Sequence, residues 1–206
     1  MKRPVRTHRR TDVRREQIAR AALRLFAEGG PRALRIAVLA RRVGLAPSAV
    51  YRHFHGKDDI LAAAVGLFRD MVFANIRAVC IESPSALERL HRLLKRQVRL
   101  IRSNAPIMPR LAFGDDPSRT AKWRGRVAPV LGEYLGAVAD IVRQGQRQGE
   151  IRRDVRADTV AVMVFGLLMV PAILWHIRGG GVNVERHVES GWRTLRRAIA
   201  VKSGAR

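Results

Sequence analysis

Cysteine occurs once in the 206 residues, at Cys80. A single thiol excludes an intramolecular disulfide and any cysteine-rich zinc site, and it fits a reducing cytoplasm, which is the expected location. Acids are also scarce: 17 Asp and Glu stand against 40 Lys and Arg, leaving a formal net charge of +23. An excess of that size implies a polyanionic partner, either nucleic acid or an acidic membrane surface. Catalytic inventory is missing as well. There is no H-E-x-x-H, no G-x-S-x-G and no glycine-rich phosphate loop after a strand, and the six histidines (His8, His53, His55, His91, His176, His187) are scattered. No catalytic residue, metal or cofactor is therefore expected, and the chain does not read as an enzyme. The N-terminus carries charge without a following apolar stretch, so it does not read as a secretory signal. Long apolar runs are limited to Val160–Trp175, sixteen residues interrupted by Gly166 and Pro171. A membrane span needs about 20, so a buried helix is expected and no membrane partner.

What is present is uneven charge and helical periodicity. From Met1 to Gly56 there are 14 Lys and Arg against three acids (Asp12, Glu16, Glu28), a balance of +11 in the first quarter, and the remaining 150 residues carry only +12. The hydrophobic share of 47% supports a folded core. Apolar residues recur at helical spacing throughout, while strand-like alternation is hard to find, which predicts an all-α protein of about nine helices. A first long helix is predicted to start near Thr11 or Asp12 and to stop at Gly29-Gly30-Pro31, with Ile18, Ala22, Leu25 and Phe26 on its inner face. Two short helices follow, roughly Arg35–Val43 and Pro47–Phe54. Gly44 can supply a left-handed residue between them, and Pro47 suits a first helical position. That is the sequence form of a helix-turn-helix. Later helices are predicted over 58–79, 85–104, 117–145, 158–178 and 184–201, separated by Ser-Pro, Asn-Ala-Pro, Asp-Asp-Pro, Gln-Gly-Glu and Gly-Gly-Gly signals.

The stretch LARRVGLAPSAVYRHFHGKDDIL, residues 39–61, resembles the DNA-binding domain of the TetR family of bacterial regulators. The resemblance rests on Leu39-Ala40, on Gly44-Leu45, on Tyr51-Arg52-His53-Phe54 and on Lys57; with the first helix it covers residues 11–71, with the helix-turn-helix at 35–54. It implies a three-helix DNA-binding domain followed by a helical-bundle domain, residues 72–206, for ligand sensing and dimerisation. A weaker echo of the family is GQRQGEIRRDVRAD ahead of an apolar helix. On the second short helix, Val50 points inward and leaves Ser48, Ala49 and Arg52 outside as candidates for base edges. Arg52 can fork onto a guanine, Ser48 can bond to several bases, and the Ala49 methyl can touch a thymine methyl. Tyr51, His53 and Lys57 resemble the family's phosphate contacts. Two positions depart from the family pattern, since Arg35 and Ala46 stand where capping hydroxyls are usual. Arg35 is expected to bind phosphate directly, and Pro47 completes the interface set. The arm Lys2–Arg15 is expected to contact phosphate or the minor groove. His53 and His55 form an H-x-H pair too poor in further ligands for a metal.

For the second domain the resemblance implies a homodimer through the last two helices, with Trp175, Ile177, Trp192, Leu195 and Ile199 as interface candidates. It also implies a small-molecule effector that shifts the protein away from its double-stranded operator. Phe68, Met71, Phe113, Trp123, Tyr134 and Met163 are candidates for an apolar pocket, with His91 or His176 as a polar handle. The expected function is a ligand-responsive repressor on a palindromic operator. A non-specific architectural or membrane-surface protein is the alternative; it accounts for the charge but not for the arrangement from Leu39 to Lys57.

Overall fold

A computed structural model describes residues 5–103, 117–178 and 180–201; side chains are described from residue 11, except those of 30–32, 117–124 and 126. The described residues form eight α-helices: α1 Val5–Ala33, α2 Ile36–Arg42, α3 Pro47–Tyr51, α4 Lys57–Glu82, α5 Ala86–Ser103, α6 Pro117–Arg147, α7 Ala157–Ile177 and α8 Val184–Ile199. Among them there is no strand, only an isolated antiparallel bridge between Ile151 and Ala200. The chain divides into two compact units at a boundary inside α4, between Met71 and Val72.

In the first unit the inner face of α1 buries Ile18, Ala22, Leu25 and Phe26 against Leu39, Val50, Phe54 and Ile60. Two boundaries differ from the sequence reading. Helix α1 already runs from Val5, ahead of the start expected near Thr11 or Asp12. It also continues through Gly29-Gly30-Pro31 to Ala33, at the cost of the one N–H that Pro31 lacks. The stop comes where Leu34, 1% exposed, leaves the helix axis and enters the core.

The second unit packs α5, α6, α7 and α8 with the second half of α4 around Leu90, Leu94, Val138, Val164, Val188 and Trp192. The Gln-Gly-Glu segment is its main junction. Gly149 adopts φ +76°, and a Cβ on Gly145 would lie 2.7 Å from the Ala86 Cβ. Glu150 turns back to α5, where its carboxylate accepts hydrogen bonds from the Ser85 hydroxyl (2.7 Å) and the Leu87 amide (3.2 Å). The buried Arg89 donates to the Ser83 carbonyl and to Gln144 Oε1, fastening the turn before α5 to the end of α6. The apolar run lies on α7, which is long and apolar enough to cross a membrane by length and composition. One side of it is core, with Val160, Ala161, Val164, Leu168 and Ala172 buried.

Candidate functional site

The helix-turn-helix is built from backbone geometry more than from side-chain caps. Helix α2 starts at Arg35 (φ −102°, ψ 135°) and α3 at Ala46 (φ −73°, ψ 149°), and neither residue supplies a side-chain cap. The turn compensates at the other end of α2. Gly44 takes φ +68°, its N–H donates to the Arg41 carbonyl (3.3 Å), and the Leu45 N–H reaches the Ala40 carbonyl (2.9 Å). That pair of bonds closes a Schellman motif, satisfies two helix-end carbonyls and needs a residue without Cβ strain at 44. Pro47 then occupies the start of α3 with no N–H to lose.

Helix α3 presents Pro47, Ser48, Tyr51 and Arg52 to the outside and anchors itself through Val50, which is fully buried. Ala49 does not face out as its sequence position suggested: it is 7% exposed. A buried sector about 100° wide takes two adjacent helix positions, so the methyl of Ala49 joins Val50 in the core and is unavailable to a thymine. Tyr51 is 56% exposed and does not cap the core. His53 is half-buried, and its Nδ1 is enclosed without a hydrogen-bond partner among the described residues. Lys57 opens α4 at the edge of this face, and Arg35 is exposed at the start of α2.

Arg15 has a different role from the one its place in the basic arm suggested. Its guanidinium lies 4.3 Å from the Phe54 ring centroid, donates to the His53 carbonyl and faces Asp59 across 3.8 Å. It therefore clamps the end of α3 to the start of α4, where Asp59 also accepts from the His55 N–H (3.2 Å). A second clamp, Arg42 to Glu28 at 2.6 Å, ties α2 to α1 and raises the Arg42 pKa, chiefly through that hydrogen bond. Arg41 beside it is exposed and meets no acid among the described residues; the sequence reading passed over it. No group of three metal-ligating side chains occurs among the described residues.

In the second unit the candidates separate into three kinds. Trp192, Leu195 and Ile199, expected at a subunit interface, are 2%, 8% and 2% exposed and fill the chain's own core. Their inward orientation is locked by Gly191, where a Cβ would come within 2.4 Å of Leu167 on α7. Trp175 and Ile177, by contrast, are exposed. They belong to a surface stripe on α7 where Met163, Gly166, Val170, Leu174 and Ile177 recur at helical spacing, so Met163 is not a wall of an interior pocket. His91 is not a free polar handle: its ring stacks on Trp192 (5.6 Å, 13°) and its Nε2 lies 3.0 Å from Glu189. That contact holds the Glu189 carboxyl below its ordinary range.

Of the remaining pocket candidates, Phe68 and Met71 are half-buried on α4 in the first unit, and His176 is half-buried near the end of α7. Phe113 and the Trp123 side chain lie outside the described residues. Tyr134 is buried on α6 beside Phe165 of α7 (6.0 Å between ring centroids). Its hydroxyl has no hydrogen-bond partner among the described residues, and burial pushes its pKa well above the ordinary phenol value.

Comparison with known proteins agrees with this layout. Residues 18–64 match the family model described as bacterial regulatory proteins, tetR family, and residues 69–197, more than half of the chain, match the model of the YsiA-like protein C-terminal region. The HTH-type transcriptional repressor KstR2 of Mycobacterium tuberculosis is 24% identical over 176 residues, 84% of this chain and 86% of that protein. A TetR transcriptional regulator from Chloroflexus aurantiacus superposes with a TM-score of 0.78 at 20% identity, covering 94% of this chain and 99% of that one. The regulator FadR from Bacillus subtilis, solved in complex with stearoyl-CoA, superposes with a TM-score of 0.69 at 20% identity over 87% of this chain and 96% of its own. The chain belongs to the TetR family of bacterial regulatory proteins, and it is a DNA-binding transcriptional regulator.

Proposed function

We propose that this chain is a repressor that binds a palindromic operator as a homodimer through α3 and is released by a small apolar effector. The observation that carries the reading is the split of α3 into a buried anchor, Val50 with Ala49, and an exposed edge of Ser48, Tyr51 and Arg52. A helix anchored in that way, with a polar edge left outside, can enter a major groove. Arg52 reads guanine and Ser48 supports it; Arg35, Tyr51, His53 and Lys57 set register on phosphates.

The outer side of α7 supports two-fold pairing. Val162, Met163, Val170 and Ile177 are all more than half exposed, which leaves a continuous apolar surface that water solvates poorly. Gly166 lies within this stripe with open space where a Cβ would stand, so a neighbouring helix can approach closely. A second copy of the same stripe is a self-complementary cover. Trp192, Leu195 and Ile199 of the last helix stay out of this face, because they are buried in the chain's own core. The effector class is suggested by the stearoyl-CoA complex of the FadR relative and by the apolar core of the second unit.

The test is selection of binding sites from random duplex DNA by the purified protein at near-physiological salt, where sequence-independent phosphate contacts are weakened. A two-fold symmetric motif is the expected result. Binding without a motif that disappears as salt rises would sink the reading and leave the charge acting without readout.

A further inference from the structure

Where α6 ends and α7 begins, every acid is engaged and arginines are left over. From residue 140 to 158 five arginines stand against four acids. Asp140 and Asp158 hold Arg143 (2.8 and 3.3 Å), Glu150 accepts from Ser85 and Leu87, and Asp154 accepts from Arg152 (3.0 Å). Arg147, the last residue of α6, and Arg153, in the turn that follows, are exposed. Neither guanidinium meets an acid or a hydrogen-bond acceptor among the described residues. With Arg143 and Gln146 they line a depression of about 280 Å³ that lies within the second unit, and no described acid belongs to its wall.

The surroundings hold these groups in place. Gln146 Nε2 donates to the Arg152 and Val155 carbonyls (3.0 and 2.8 Å), on either side of the stretch that carries Arg153. The Arg152 N–H reaches the Ile199 carbonyl (2.9 Å), so the turn is fastened to α8 as well. Asp158, which touches Arg143, lies in the first turn of α7, and that helix has Arg156 at its N-cap with no side-chain hydrogen bond. Helix-start amides without a side-chain acceptor add to the positive field beside the depression. Arg147 suits the carboxyl end of α6, where the helix dipole favours a cation, but no such reason accounts for Arg153.

We infer that this depression binds a compact phosphate-bearing anion, at a site separate from the reading edge of α3 and from the apolar effector. Guanidiniums present forked N–H donors that match the oxygens of a phosphate, and Arg143, Arg147 and Arg153 bring three of them to one place. A polyvalent anion compensates charge that a single carboxylate would leave in excess, and a neutral ligand would compensate none. The volume lies at the lower end of small-molecule pockets, which favours a compact ligand over an extended one. Bound there, the anion links the end of α6 to the turn that leads into α7. Binding to the folded chain then stabilises it by mass action.

The probes are inorganic phosphate, pyrophosphate and ADP, each titrated by calorimetry into the full chain at one fixed ionic strength set with sodium chloride. Saturable binding of pyrophosphate is expected, and Arg147→Gln/Arg153→Gln is expected to weaken it about 10-fold or more with helical content unchanged. Arg77→Gln/Arg99→Gln removes the same charge from exposed positions outside the depression and is expected to change the affinity less than about 2-fold. Tighter binding of ADP than of the inorganic probes would assign the phosphate of an organic metabolite, and the reverse order a free inorganic anion; both uphold the site. An equal loss in the two paired variants, or no saturable binding by the wild type, would overturn it. So would a pocket variant that binds every probe as before and loses affinity only for duplex DNA, since Arg147 and Arg153 would then belong to the nucleic acid. None of these outcomes depends on whether α3 reads an operator.

Discussion

The two units solve opposite problems with the same building element. In the first unit α3 is five residues long, its anchor is buried, and the residues that matter face outward as Ser48, Tyr51 and Arg52. In the second unit the helices run to 31 residues, and an apolar side chain on them is buried in the core or left exposed according to where it points. Polarity therefore separates the exposed edge of α3 from its buried anchor, whereas exposure and not residue type sorts the apolar side chains of the second unit.

The largest test of that contrast is Trp192→Ala. As a core residue stacked on His91, Trp192 is expected to cost about 3–5 kcal/mol when truncated, seen as a large loss of unfolding free energy in denaturant. A variant that stays fully stable yet becomes monomeric would return Trp192 to the subunit interface. Next in size is Val170→Glu on the outer stripe. Burying an unpaired carboxylate there is expected to weaken self-association by about 100-fold or more, read by sedimentation, with the helical content unchanged. Unaltered association would show that α7 is not the pairing face.

Arg15→Gln sharpens the comparison from the first unit's side. Loss of the clamp on Phe54 and His53 is expected to cost about 1–2 kcal/mol and to lower the melting temperature by roughly 2–8 °C. An arm residue that only touched DNA would leave the melting temperature alone and weaken binding. The smallest effect expected is pH-dependent. His91 holds the Glu189 carboxyl below its ordinary value of 4.5, so the stability this pair contributes is present above that value and is lost as the pH falls through the lowered one. Glu189→Gln should flatten part of the decline in melting temperature below about pH 4.5. Because the carboxylate is 44% exposed, solvent screening keeps the difference slight.

The local features of the reading unit were legible because each has one physical meaning. A glycine at 44 followed by a proline at 47 implies a left-handed helix end and a fresh helix start, and both occur. Val50 as the anchor followed from spacing, whereas Ala49 was misplaced because a small methyl carries no polarity to show which side of the buried sector it occupies. Arg15 was hidden among neighbouring arginines, and only the fold reveals that it reaches residues 53 to 59. In the second unit Trp192 and Ile177 were indistinguishable as sequence: both are large, apolar and near the chain's end. The packing of Gly191 on Leu167, a contact between two helices, decides which side turns inward.

The central claim is that Arg52 on α3 reads a base while the buried residues beside it only hold the helix in place. The most direct measurement is parallel binding-site selection with the wild type and Arg52→Ala. The account predicts that a guanine preference disappears at two symmetry-related positions while the remaining motif persists, with affinity for the original site falling about 10-fold or more. An unchanged motif with uniformly weaker binding would contradict it and would reduce Arg52 to a phosphate contact.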